Sequence, residues 1–193
     1  MLARTFSGAT LLLGLFVTAV EAQVPAPEIQ IAGAVSPLPP AFRDSATVLG
    51  YRNYHRLVAL RNGTGSMICL ASDPSEKRWH VSCYHKDLGP FMAMGRELRD
   101  QGKTHAEIDS LREAAVAAGT LKMPDGPRML YQLFAPADSV DPATGLAHGA
   151  AALQVVYIPY ATTESTGLSA APVAGLPWIM YPGKPWAHIM IMK

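Results

Sequence analysis

The chain has little charge of either sign. Charged residues make up 16% of its 193 positions, and 16 Lys and Arg against 15 Asp and Glu leave a formal net charge of +1. The basic residues are scattered, with no stripe interleaved with aromatics, so the electrostatic footprint of a nucleic-acid binder is absent. An acidic or basic tail is also missing. Cysteine occurs only at Cys69 and Cys83, and the paired C-x2-C spacing of the usual zinc sites is not there. No phosphate-binding glycine loop, dinucleotide fingerprint, H-E-x-x-H helix or G-x-S-x-G elbow is found, which removes the commonest enzyme signatures and leans the reading away from catalysis. Internal repeats are lacking too. These absences leave a binding module as the first expectation, with no cofactor implied.

A sustained apolar run occurs once, at residues 9–20, after a short basic segment. It is too short to span a bilayer comfortably, and Val20-Glu21-Ala22 offers small residues where a signal peptidase reads. Residues 1–22 are therefore expected to be a cleaved signal peptide, making the protein exported, periplasmic or secreted, with no membrane span in the mature chain. Residues 23–45, rich in Pro and Ala, read as an extended or disordered arm with a helical turn near its end. Residues 46–193 are long enough for one globular domain.

Short apolar runs predict strands at residues 47–51, 56–60, 67–71 and 79–85. The Asn62-Gly63 pair between the second and third suggests a hairpin, making 47–85 an antiparallel meander. Asn62-Gly63-Thr64 is also a glycosylation sequon. Asp87 resembles an N-cap, and Leu88, Phe91, Met92, Gly95 and Leu98 follow at helical spacing. Thr104 and Glu107 form a capping box, with Ile108, Leu111 and Ala115 as the stripe of a second helix. Gly102 and Gly119 close the two helices. Further strands are expected at 128–134, 153–160, 178–181 and 186–192. The fold class is α+β: a mostly antiparallel sheet with a helical pair inserted at about 87–118.

The runs Met67-Ile68-Cys69-Leu70-Ala71, Val81-Ser82-Cys83-Tyr84-His85, Val156-Tyr157-Ile158-Pro159-Tyr160-Ala161 and Ala187-His188-Ile189-Met190 make the chain similar to a group of exported bacterial proteins with no assigned activity. The resemblance implies no substrate, cofactor or catalytic residue.

Two cysteines in an exported chain most often form a disulfide. Strand alternation puts Met67 and Cys69 on one face and Cys83 and His85 on one face of the next strand. If Cys69 sits opposite Cys83, the antiparallel register places Met67 opposite His85. The awkward geometry of a disulfide directly across paired strands also allows a diagonal or bulged pairing. The same four residues could instead make a soft S/S/S/N set for copper or zinc. Trp186, His188, Met190 and Met192 alternate likewise on the last strand, where methionine is more often a core filler. Two long loops, 135–151 and 161–177, are of functional length. They would frame a small-molecule pocket lined by Tyr157, Tyr160, Trp178 and Trp186. In the 162–167 loop, Glu164 and Ser165 with His188 supply the inventory of a hydrolase, although a triad is recognised by geometry.

Overall fold

The computed structural model describes residues 24–53 and 56–192. The predicted signal peptide lies outside them. The first element is α1, Pro27–Val35, so the stretch expected to be an extended arm is helical and built into the domain. Its opening proline is tolerated where no intrahelical donor is needed. Its small residues let Ala34 and Val35 pack with Leu38 onto the sheet. Gln30 fixes it further: its side-chain amide donates to the Tyr51 carbonyl and accepts from the Tyr51 N–H, both at 2.8 Å. A four-residue helix α2, Pro40–Arg43, then leads into the first strand.

Eight strands follow: β1 (Thr47–Tyr51), β2 (Leu57–Arg61), β3 (Met67–Leu70), β4 (Arg78–His85), β5 (Arg128–Pro136), β6 (Ala151–Tyr157), β7 (Trp178–Met180) and β8 (His188–Met192). They form one sheet in the order β2-β1-β3-β4-β5-β6-β8-β7. Helices α3 (Gly89–Asp100) and α4 (His105–Ala117) are inserted between β4 and β5, and a short α5, Thr163–Thr166, lies between β6 and β7. The α+β class and the inserted helical pair are as expected.

The meander needs correction. β3 does not pair back on β2; it runs parallel to β1, with Thr47 beside Ile68 and Leu49 beside Leu70. The cause lies at Gly63. A Cβ there would stand 2.2 Å from the Ser45 carbonyl oxygen and 2.4 Å from the Thr47 nitrogen. Its N–H donates to Thr47 Oγ1 at 3.1 Å, and Gly65 N–H donates to the Ser45 carbonyl at 2.8 Å. Residues 62–65 thus cross tightly over the entrance of β1, and the glycine serves close approach rather than a hairpin turn.

All other neighbouring strands pair antiparallel. Cys69 stands opposite Cys83 and Met67 opposite His85, the direct one of the pairings left open. Cys69 and Cys83 are bonded, with Cα atoms 4.0 Å apart and both residues fully buried. Cross-linking positions 14 apart contributes about 3 kcal/mol in the chain-entropy account. The Cys83 sulfur also touches the Ala34 carbonyl oxygen at 3.0 Å, a contact without a proton because the sulfur is oxidised.

The two faces of the sheet are covered differently. On one, Val48, Met67, Cys69 and Cys83 pack under α1, and Trp79, Val81 and Ala135 pack under the loop after β5 through Val140 and Ala147. On the other, Tyr84, Leu130, Val155 and Tyr157 meet α3–α4 through Leu88, Phe91 and Leu121. Asp87 is not the cap of α3. It sits in a 3-10 turn, Lys86–Leu88, that precedes the helix. Its carboxylate instead accepts from Arg128 Nε at 2.8 Å, and Arg128 holds it below the usual carboxylate range. The Thr104–Glu107 capping box at α4 is present. Along α4, however, Leu111 is 40% exposed, while Arg112 is buried beside Ile108. Among the described residues, no helix is long and apolar enough to cross a membrane.

Candidate functional site

The helical pair covers only part of its face of the sheet. Between it and the exposed parts of β1, β4, β5 and β8 runs a groove of about 820 Å³. Alternation along the strands aims Ser82, Tyr84, Leu130, Gln132, Tyr157 and His188 into it. From the helices come Phe91, Arg96 and Arg112.

At the inner end, five rings pack together. The Tyr157 and His188 rings lie 4.8 Å apart, and Tyr181 is 5.8 Å from His188. Phe91 stands 6.0 Å from both Tyr157 and Trp186, and Tyr181 is 6.2 Å from Trp186. The contacts are tilted or edge-on, and edge contacts at these spacings suit aromatic quadrupoles. Tyr181 has φ of 54°, left-handed backbone that costs a bulky residue energy and is concentrated at functional sites. Lys184 donates to Glu113 at 2.6 Å, tying the turn before β8 to α4.

The protonation states are set by burial. His188 Nδ1 lies 2.8 Å from the Trp186 carbonyl oxygen. A carbonyl only accepts, so Nδ1 carries the proton and Nε2 keeps its lone pair in the neutral ring. Burial holds the His188 pKa below its ordinary value, partly offset by that hydrogen bond. Burial also pushes the Tyr157 phenol up to about 12, so it stays neutral. His80, farther along the groove, is likewise lowered by burial. It stacks on Phe134 at 4.4 Å, with Arg78 4.5 Å over the same ring.

Arg112 brings a positive charge to the inner end, where Asp109 interacts with Tyr181. Its guanidinium lies 3.8 Å over the Phe91 ring, and Nη2 donates to the Phe91 carbonyl at 2.9 Å. Gly95 makes room for it: a Cβ there would fall 1.9 Å from Nη2. Arg112 is 9% exposed, forms none of the ion pairs of the described residues, and its Nε–H has no acceptor. The indole Nε1–H of Trp186 is the second buried donor without an acceptor among the described residues.

The sequence candidates are partly brought together. Tyr157, Trp186 and His188 meet in the groove. Trp178 is buried at β7, and Tyr160, 58% exposed, sits past the end of β6 with φ of 63°; neither lines it. The two long loops do not frame it either. Residues of the 135–151 loop instead border a separate cavity of about 350 Å³ beneath α1, with Trp79, Ile29 and Val140 in its wall. Ser165 is occupied in a capping box with Thr162 that opens α5, and neither it nor Glu164 lines the groove that holds His188. The soft-metal set is also corrected: the bonded sulfurs of Cys69 and Cys83 offer no thiolate, and His85 Nδ1 accepts from the Asp87 N–H at 3.2 Å. Among the described residues no group of three or more His, Cys, Asp or Glu is placed to hold a metal ion. Arg112 and Tyr181 were not singled out from sequence, and Phe91 only as part of a helical stripe. The available signal was an arginine four residues after Ile108, on the apolar side of a helix.

No family model, no curated protein and no solved structure matches this chain.

Proposed function

We propose that the protein is an exported small-ligand-binding module whose ligand lies in the groove between α3–α4 and the sheet. The observation that carries this reading is the convergence of Phe91, Tyr157, Tyr181, Trp186 and His188 around buried donors that have no acceptor. A concave site of this size whose inner end is aromatic, with charged side chains along the rest of its wall, suits a small organic molecule that has both apolar and polar parts. The buried disulfide fits an oxidising compartment, in keeping with the expected signal peptide.

The neutral apolar probe N-phenyl-1-naphthylamine tests the reading. It is expected to bind the folded protein saturably at one site, with its fluorescence rising. Met190→Trp, which adds an indole to the groove wall next to His188, should weaken binding at least tenfold while the circular dichroism stays native. Binding without saturation, or unchanged in the folded variant, would count against the groove.

A further inference from the structure

The inner end of the groove holds a buried arginine without an ion pair among the described residues, with the Asp109 carboxylate, also in the groove wall, acting on it only at longer range. Five arginines and five carboxylate side chains line the groove as a whole, so it has no net charge of its own. Arg112 nevertheless has no carboxylate within ion-pair distance among the described residues. A guanidinium stays charged when buried, although burial lowers its pKa. Burying an unpaired charge is unfavourable, and here the fold goes further to accommodate it. Gly95 stands in mid-helix where alanine would be preferred, and the guanidinium rests in the space the missing Cβ leaves.

The second orphaned donor belongs to another neighbour of Phe91. Trp186 packs on the same Phe91 ring that carries Arg112, and it is 3% exposed with its indole N–H unsatisfied. Two buried donors without acceptors on one aromatic platform call for a molecule that brings acceptors. Neutral His188, in the wall of the same groove, keeps a lone pair at Nε2, suited to a hydroxyl or N–H of the same molecule.

We infer that the inner end of the groove is an anion subsite, and that the ligand is an aromatic or otherwise apolar molecule with an acidic head, a carboxylate or sulfonate, seated against Arg112 and Trp186. This rests on the groove being the binding site. Phe91, Tyr157 and Tyr181 would hold the apolar body, and His188 would accept a hydrogen bond from it. A cation over an aromatic face and facing an anion is a strong recognition unit once water is excluded.

Two probes that differ by one acidic group test the subsite. 8-Anilinonaphthalene-1-sulfonate is N-phenyl-1-naphthylamine carrying a sulfonate. The wild-type protein is expected to bind the sulfonate at least tenfold more tightly than the neutral probe. Arg112→Met should abolish the sulfonate's advantage, so that the two probes bind this variant within twofold of each other, and Arg112→Lys should retain part of that advantage. Equal affinity of the two probes for the wild type would overturn the anion subsite, and that comparison decides the matter even if Arg112→Met does not fold. Unchanged sulfonate binding by a folded Arg112→Met would also overturn it, leaving Arg112 as a packing contact between α3 and α4. In both cases neutral-probe binding that remains sensitive to Met190→Trp keeps the groove as the site. If neither probe binds saturably, the groove reading falls with it.

Discussion

Replacing Gly95 by alanine should destabilise this protein, against the usual direction of that substitution in a helix. In an ordinary helix interior, Gly→Ala stabilises by about 1 kcal/mol. Here the new Cβ would meet Arg112 Nη2 at 1.9 Å and Cζ at 2.7 Å, so the guanidinium must leave its place. The hydrogen bond to the Phe91 carbonyl is then lost, at about 1.5–3 kcal/mol for a charged donor. The stacking on Phe91 goes with it, at about 0.5–2 kcal/mol. Part of this is returned as the freed guanidinium regains water, and the better helix propensity offsets about 1 kcal/mol more. The net expectation is a loss of about 1–3 kcal/mol, read as a lower midpoint in urea with an unchanged slope. In an Arg112→Met background the bulky partner is gone, and the same Gly95→Ala change should become neutral or stabilising. That reversal of sign is the double-mutant signature of two groups sharing one space. If Gly95→Ala stabilises the wild type as it does Arg112→Met, the guanidinium does not occupy that space and the reasoning fails.

Three other outcomes follow from the same structure. The denatured, unreduced protein should show no titratable thiol, and replacing Cys69 and Cys83 together by alanine should lower stability by about 2–5 kcal/mol, toward the low end for a domain with a full core; two reactive thiols would refute the bond. Gly63→Ala should cost about 1–3 kcal/mol through collision with the backbone at Ser45 and Thr47, whereas Asn62→Ala at an exposed position should stay within about 0.5 kcal/mol; a large loss from the asparagine would restore the hairpin reading. Burial holds His80 and His188 below their ordinary values. Stability is therefore complete above about pH 6.5, the unfolded value, and declines below it as the unfolded chain takes up protons first. His188→Gln should make that decline shallower in urea titrations across pH 6.5–5, and an unchanged slope would contradict the assignment.

The strands were legible because each is a short apolar run bounded by turn residues, and side-chain alternation showed which residues share a face with Cys69 and with Cys83, whereas the direct rather than diagonal pairing of the two cysteines is seen only in the structure. The order of the strands in the sheet was not legible. The Asn62-Gly63 pair carries the same local signal whether glycine is needed for a turn or for a crossing chain, and only the contact with residues 45–47 tells them apart. The first helix was hidden because Pro, Ala and Gly offer little hydrophobic period, and what holds it is long-range: the Gln30 amide on Tyr51 and the sheet beneath Ala34. Tyr157, Trp186 and His188 were visible as aromatic and titratable side chains on apolar strands. Their partner Arg112 was passed over because Leu111 fits an apolar stripe better than arginine does, yet it is Leu111 that faces outward. A buried charge contradicts local pattern, and such contradictions gather where a site is built.

The three tryptophans lie in three different places: Trp79 in the wall of the cavity under α1, Trp178 buried at β7, and Trp186 at the inner end of the groove. Their indole N–H signals in a proton–nitrogen correlation spectrum therefore report where a ligand goes. On saturation with 8-anilinonaphthalene-1-sulfonate, the Trp186 signal should move downfield as its unpaired donor gains an acceptor, and the Trp79 signal should stay in place. A shift at Trp79 with Trp186 unmoved would place the ligand under α1 and contradict the account.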